Sequence, residues 1–252
     1  MKRKLWTREE LIVAFNLYCK ISFSKINYRN HLIIKLAEAI GRTPSAVAWK
    51  LVNFASLDPS LTERGIKGAI NTGKLDKIIF EEFTNNWEDL GYESELLLSK
   101  FLKEEIILPT EENFELKEGL EKKKKVKVRV NQSFFRSTVL SSYDFRCCLT
   151  GIDIPELLIA SHIIPWSKDK KNRLNPQNGL CLNNIHDKAF DKGFITFDTN
   201  FKMILSSQLK SNKNENIKLY FHKLEGKSLI LPKRFIPNKQ FLEYHNKNIF
   251  QL

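Results

Sequence analysis

Between residues 104 and 136 the chain reverses its charge. Residues 104–121 hold seven Glu against one Lys, and residues 122–136, KKKKVKVRVNQSFFR, hold seven basic residues and no acid. Blocks of like charge repel and stay solvated, so a switch of this kind marks a linker or a domain boundary. The 252 residues leave room for a domain on each side, and 42% hydrophobic content supplies cores for them. The expected division is a helical domain over 1–104, a charged linker over 105–125 and a second domain over 126–252.

The first domain reads as helical from local signals. In WTREELIVAF, Thr7 and Glu10 form a capping-box pattern. Leu11, Ala14, Phe15 and Tyr18 follow at helical spacing, which predicts a helix from Arg8 to Lys20. Ile33, Ala37 and Ile40 make one face of a second helix, and Gly41 suits the left-handed stop after it. Thr43 is a good N-cap, Pro44 fits the first helical position, and Val47, Leu51 and Phe54 give the third helix its buried stripe. Two short helices around a Gly-containing turn make a helix-turn-helix candidate. On that reading Arg42, Ser45, Lys50 and Asn53 would touch DNA; such hairpins also serve as plain structure. Residues 74–104 are expected to complete the domain with further helix.

Composition narrows the partner. The net charge of +12 favours a polyanion. No secretory signal or apolar run of membrane-spanning length is visible, so a cytoplasmic protein that meets nucleic acid is expected, and no membrane. The four cysteines, Cys19, Cys147, Cys148 and Cys181, fit neither a disulfide framework nor a zinc pattern. Val126, Val128 and Val130 alternate, which predicts that the basic block runs into a strand. Its Lys127 and Arg129 are candidates for phosphate contact, or belong to a solvated linker face. A helix is expected from Asn131 to Ser142, carrying Arg136, which would either position DNA or pin that helix.

The densest signal is LLIASHIIPWSKDKKNRLNPQNGLCLNNIHDKAFDKG, residues 157–193. An apolar, strand-like run ends in His162. Asn178 lies in the following loop, GLCL makes a second strand, and NIHDKAFDKG a short helix that carries His186 and closes at Gly193. Beyond it, FITFDTNFKMIL predicts a hairpin with Asp198, Thr199 and Asn200 at its tip, and NKQFLEYHNKNIF a last helix.

The motifs ASHIIPW and NPQNGLCLNNIHDKAFDKG resemble the HNH endonucleases of the ββα-metal fold, in particular a bacterial restriction-type group. Upstream, VNQSFFRSTVLSSYDFRCCLTG agrees with that group, as does FLEYHNKNIF near the end. The N-terminal WTREEL, IGRTPSAVAWKLVNFASLDP and GIKGA resemble the helical domain often attached to it, and GRTPSAVAWKL is similar to the third helix of Myb/SANT-like modules. The fold this implies is α+β: a helix-turn-helix-like α-helical domain followed by a ββα-metal nuclease domain.

The resemblance implies metal-dependent cleavage of DNA, leaving a 5′-phosphate, in restriction or defence. His162 would be the general base, since a neutral imidazole takes a proton from water near pH 7. His186 would bind the metal, and Asn178 would hold the loop that places His162. The metal expected is Mg²⁺ or Mn²⁺, with Zn²⁺ and Ni²⁺ as alternatives. The family often places an acid or histidine just before the base; here it is Ser161. Asp187 points about 100° away from His186 on a helix, which sets it aside as a co-ligand of that histidine. Arg173, Lys188 and Lys192 flank the motif as phosphate candidates. Cutting both strands would call for a homodimer on DNA. The competing expectation is a DNA-binding regulator whose nuclease unit is inactive, for which Ser161 speaks.

Overall fold

The computed structural model describes residues 4–62, 72–105 and 120–252, with the backbone alone at 62 and 120–125. Most of the acidic block, the GIKGA segment and the side chains of Lys122 to Lys125 lie outside the described residues. The chain divides into two compact units, Met1–Ser141 and Ser142–Leu252. The first is helical and the second mixed, so the chain is α+β. The expected boundaries, near 104 and 126, fall earlier than this division.

In the first unit, α1 (Arg8–Lys20) starts at Thr7, whose hydroxyl accepts from the Glu10 N–H while the Glu10 carboxylate accepts from the Thr7 N–H. Next come α2 (His31–Ala39) and α3 (Pro44–Ala55), separated by Gly41 at φ +64° and capped by Thr43. α4 (Pro59–Thr62), α5 (Lys74–Asn85) and α6 (Trp87–Leu102) follow. The core is aromatic. Phe15 meets Phe54 edge-on at 5.0 Å between ring centres and lies 4.4 Å from Phe83.

The last helix of this unit, α7 (Leu120–Ser142), corrects the expected strand at Val126–Val130. A V-x-V-x-V run also places its first and last Val four apart on one helix face. Val130 and Phe134 continue that face and are buried. Contacts to α6 favour the helix. Lys127 Nζ donates to Asp89 at 2.7 Å, and the Asn131 amide donates to the Glu88 carbonyl at 3.3 Å.

The second unit is built on two antiparallel pairs. β1 (Leu158–His162) pairs with β2 (Gly179–Asn183), in a register that sets Leu158 opposite Asn183 and His162 opposite Gly179. α8 (Asn184–Asp191) follows β2 directly and packs against β1. β3 (Ile195–Phe197) and β4 (Met203–Leu205) form the expected hairpin. Then come α9 (Ser207–Ser211), α10 (Glu215–Tyr220) and α11 (Lys239–Asn248), the last packed on β3. The turn out of α8 needs glycine at 193: φ is +71°, and a Cβ there would sit 2.1 Å from the Ile249 carbonyl oxygen. Among the described residues no helix is long and apolar enough to cross a membrane.

Candidate active site

His162 ends β1 opposite a glycine, so no side chain covers it from the partner strand. Its Nε2 lies 2.8 Å from the Arg173 carbonyl oxygen. A carbonyl only accepts, so in this contact Nε2 carries the ring proton. Burial lowers the pKa of this imidazole, and the bond to Arg173 offsets part of that shift. A neutral ring with its lone pair on a fixed nitrogen can accept a proton from water. The Trp166 ring stands edge-on to His162 at 5.6 Å, and the Arg173 guanidinium lies 4.9 Å above the same tryptophan.

The loop between β1 and β2 is tied from inside by Asn178, which is fully buried. Its Oδ1 accepts from the Ile164 N–H at 2.8 Å, and its Nδ2 donates to the Ile164 carbonyl at 3.1 Å and the Asn172 carbonyl at 3.3 Å. The Asn178 carbonyl also accepts from the Ile163 N–H. Asn178 therefore fixes the two residues after His162, Ile163 by its backbone and Ile164 by its side chain, and the peptide next to Arg173. Asp169 closes the outer turn, accepting from the N–H groups of Lys171 and Asn172, both at 3.0 Å.

α8 begins at Asn183, whose Oδ1 accepts from the His186 N–H at 3.1 Å. That cap sets the phase of the helix. It turns the His186 side chain inward, where the residue is 2% exposed. Nε2 of His186 lies 2.9 Å from the Tyr220 carbonyl, Nδ1 lies 2.9 Å from the Asn183 amide oxygen, and the ring stands edge-on to Phe221 at 5.4 Å. Burial lowers the pKa of His186. Asp187 takes the other side of the first turn, where its carboxylate accepts a hydrogen bond from Ser161, the residue just before the candidate base. Burial pushes the Asp187 pKa up, and the Ser161 bond pulls against that shift.

Residues 147–198 match the family model described as HNH endonuclease. This segment is therefore similar to HNH endonuclease domains. The match spans β1, the Asn178 loop, β2, α8 and β3, so both histidines and the asparagine lie inside it. A comparison with curated proteins gave no match.

HNH nucleases generally use a divalent metal. As placed here, His186 does not fit that task. Both of its ring nitrogens face acceptor oxygens, those of Tyr220 and Asn183, and the residue is 2% exposed. Among the described residues no three His, Cys, Asp or Glu side chains converge on a metal-sized site. Cys147, Cys148 and Cys181 are buried and form no disulfide among the described residues, and burial raises the Cys148 pKa well above the ordinary value, which suits packing rather than nucleophilic chemistry.

The predicted phosphate and DNA residues fall in both units. Arg173 lies in the HNH loop; Lys188 is exposed on α8, and Lys192 follows it, near the Asp191 carboxylate at 3.8 Å. Lys127, Arg129 and Arg136 lie on α7 of the helical unit. Of the α3 set, Ser45 is exposed. Arg42 is bound inward, to Glu10 at 2.6 Å and to the carbonyls of Lys4 and Leu5. Lys50 and Asn53 both donate to Asp76, which is 1% exposed. These three polar side chains therefore hold the helical unit together. Trp49, 63% exposed on α3, is a surface aromatic that helical patterning did not single out. The sequence reading also missed Asn183, although an Asn just before a helical run is a common N-cap.

Proposed function

We propose that the second unit hydrolyses phosphodiesters of double-stranded DNA, with His162 as general base. The observation that carries this is the His162 ring itself: its Nε2–H is held by the Arg173 carbonyl and burial favours the neutral form, the form that can take a proton from water. Asn178 keeps the Arg173 segment in place and so keeps the ring aimed. A displacement of about 1 Å at such a group can cost on the order of 10²-fold in rate. A divalent cation, when bound, neutralises charge on the scissile phosphate and on the departing oxygen. Mg²⁺ or Mn²⁺ suits the oxygen-rich surroundings of Ser161 and Asp187. Arg173, Lys188 and Lys192 supply positive charge for the DNA backbone.

In the helical unit, DNA contact falls to the exposed face of α3, at Ser45 and Trp49. One His162 per chain makes a dimer on DNA the arrangement for cutting both strands. A restriction or defence role in a bacterial cytoplasm accords with the sequence resemblance. The rival reading, a DNA-binding regulator with a silent nuclease unit, draws on the lack of three converging metal ligands among the described residues.

The test is conversion of supercoiled plasmid, methylated and unmethylated, with Mg²⁺, Mn²⁺ or EDTA. Nicking or linearisation that needs metal is expected, and His162→Ala should slow it by about 10²–10⁴-fold. The wild-type rate should persist at pH 6.5 and fall only as pH drops through the lowered pKa of His162. DNA binding without cutting under every condition would favour the regulator.

A further inference from the structure

We propose that Trp166 is a positioning residue for the candidate base, holding the His162 imidazole and the Arg173 guanidinium against one indole. This rests on the nuclease reading above. The Arg173 carbonyl holds Nε2 of His162 at 2.8 Å, and Gly179 opposite gives the ring no side-chain wall from β2. Trp166 supplies a wall: its ring stands at 89° to the imidazole, with centres 5.6 Å apart. That is the edge-to-face arrangement which ring quadrupoles favour. The Arg173 guanidinium lies 4.9 Å from the centre of the same indole, within the range at which a ring attracts a cation. Arg173 therefore meets Trp166 through its cation and His162 through its carbonyl.

The backbone delivers Trp166 to this place. Ile164, two residues earlier, is held by Asn178 at both its N–H and its carbonyl. Pro165 then opens a turn, its carbonyl accepting from the Lys168 N–H at 2.9 Å. On the far side of the loop, the Asn172 carbonyl beside Arg173 accepts from Asn178 as well. Both ends of the loop are thus pinned, and the indole joins them. Trp166, His162 and Arg173 are all half-buried, so the group borders solvent, where a DNA backbone can reach it. Stacking engages the face of a guanidinium and leaves its N–H edge for hydrogen bonds to a phosphate. Tryptophan suits the task because, of the aromatic rings, it attracts cations most strongly.

The test follows the His162 ring in the full-length protein by long-range ¹H–¹⁵N NMR, assigned with His162→Ala, alongside plasmid cutting at saturating DNA. Folding is checked by circular dichroism. In the wild type the ring should hold the Nε2–H tautomer, and the Trp166 indole signals should shift with the His162 midpoint as pH falls. Trp166→Leu keeps bulk and removes the ring. It should mix the two tautomers, move the midpoint up toward 6.5 and slow cutting by about 10–10²-fold. Trp166→Phe should recover most of the rate. An unchanged His162 spectrum in folded Trp166→Leu, or equal losses in the Leu and Phe variants, overturns the proposal and leaves the nuclease reading standing if the wild type cuts. Should Trp166→Leu not fold, the wild-type indole signals decide, and indifference to the His162 midpoint overturns the proposal as well. A wild type that cuts nothing sinks the nuclease reading, and with it the role given to Trp166, even where its ring spectrum is as expected.

Discussion

The two units keep polar groups in their interiors by opposite means. The helical unit buries ions. Arg42 pairs with Glu10, and Lys50 with Asp76, all four side chains being 15% exposed or less. The second unit buries mainly neutral groups, with Arg234 its charged exception among the described residues. His186 and His245 lie against carbonyls, hydroxyls or amides, and Asn178 closes its loop entirely through the backbone. A buried ion pair is secure while both charges remain and fails when one is removed. A buried neutral imidazole fails when it must take up a charge. The two units should therefore respond to different insults, and the cation-rich chain as a whole tells nothing about either.

The largest effect is expected from Lys50→Ala. It leaves the Asp76 carboxylate buried with only Asn53 and the Gly73 N–H as donors. Loss of one partner from a buried pair costs about 3–5 kcal/mol. Chemical denaturation should show the helical transition shifted and the HNH transition unmoved; equal shifts in both would break the contrast.

Acid should act the other way. His245 stacks on Phe190 at 3.8 Å, donates or accepts with Thr196, and has its pKa lowered to about 4, chiefly by burial. Its ordinary value is 6.5. The unfolded chain takes up a proton below 6.5 that the folded unit refuses until about pH 4. The stability it contributes is thus present above 6.5 and is lost as pH falls toward 4, by roughly 3 kcal/mol. His162 and His186, also lowered, act in the same direction. In the helical unit burial pushes the Glu10 pKa up, but Arg42, the Thr7 N–H and Lys4 outweigh it and the net shift is down. Its contribution survives until pH falls below 4.5. Thermal scans from pH 7.5 to 4.5 should weaken the HNH transition first, and simultaneous loss would count against the comparison.

Asn178→Ala should cost about 1–3 kcal/mol, because the Ile164 N–H and two carbonyls lose their partner inside the loop. Its distinguishing mark is a fall in cutting rate beyond what the loss of folded protein explains. The smallest effect belongs to Arg8→Ala. Its pairs with Glu82 and Glu93 are exposed, and their removal should change stability by no more than about 1 kcal/mol.

What the sequence made legible was local. Thr7 with Glu10 and Thr43 with Pro44 announce helix starts within four residues, and both starts are where they were expected. The strand ending in His162 and the short helix after GLCL were legible for the same reason. What failed needed distant partners. The valines of α7 satisfy a strand period and a helix period alike, and Asp89 and Glu88 decide between them from 38 and 43 residues away. Arg42 and Lys50 looked available because Glu10 and Asp76 lie 32 and 26 residues off. His186 looked open to solvent because the carbonyl of Tyr220 that faces it lies 34 residues downstream.

The closeness of Gly193 to the Ile249 carbonyl has a consequence for timing. The segment after α11 lies against the end of α8, with the Gln251 N–H donating to the Gly193 carbonyl, and His245 of α11 bonds the Phe190 carbonyl within that helix. A ribosome delivers these residues after α8. While the chain is still being made, the helix beside the candidate base lacks its final support. A nascent chain would thus carry α8 without its brace, and the candidate site would set only once the residues around Gln251 had emerged.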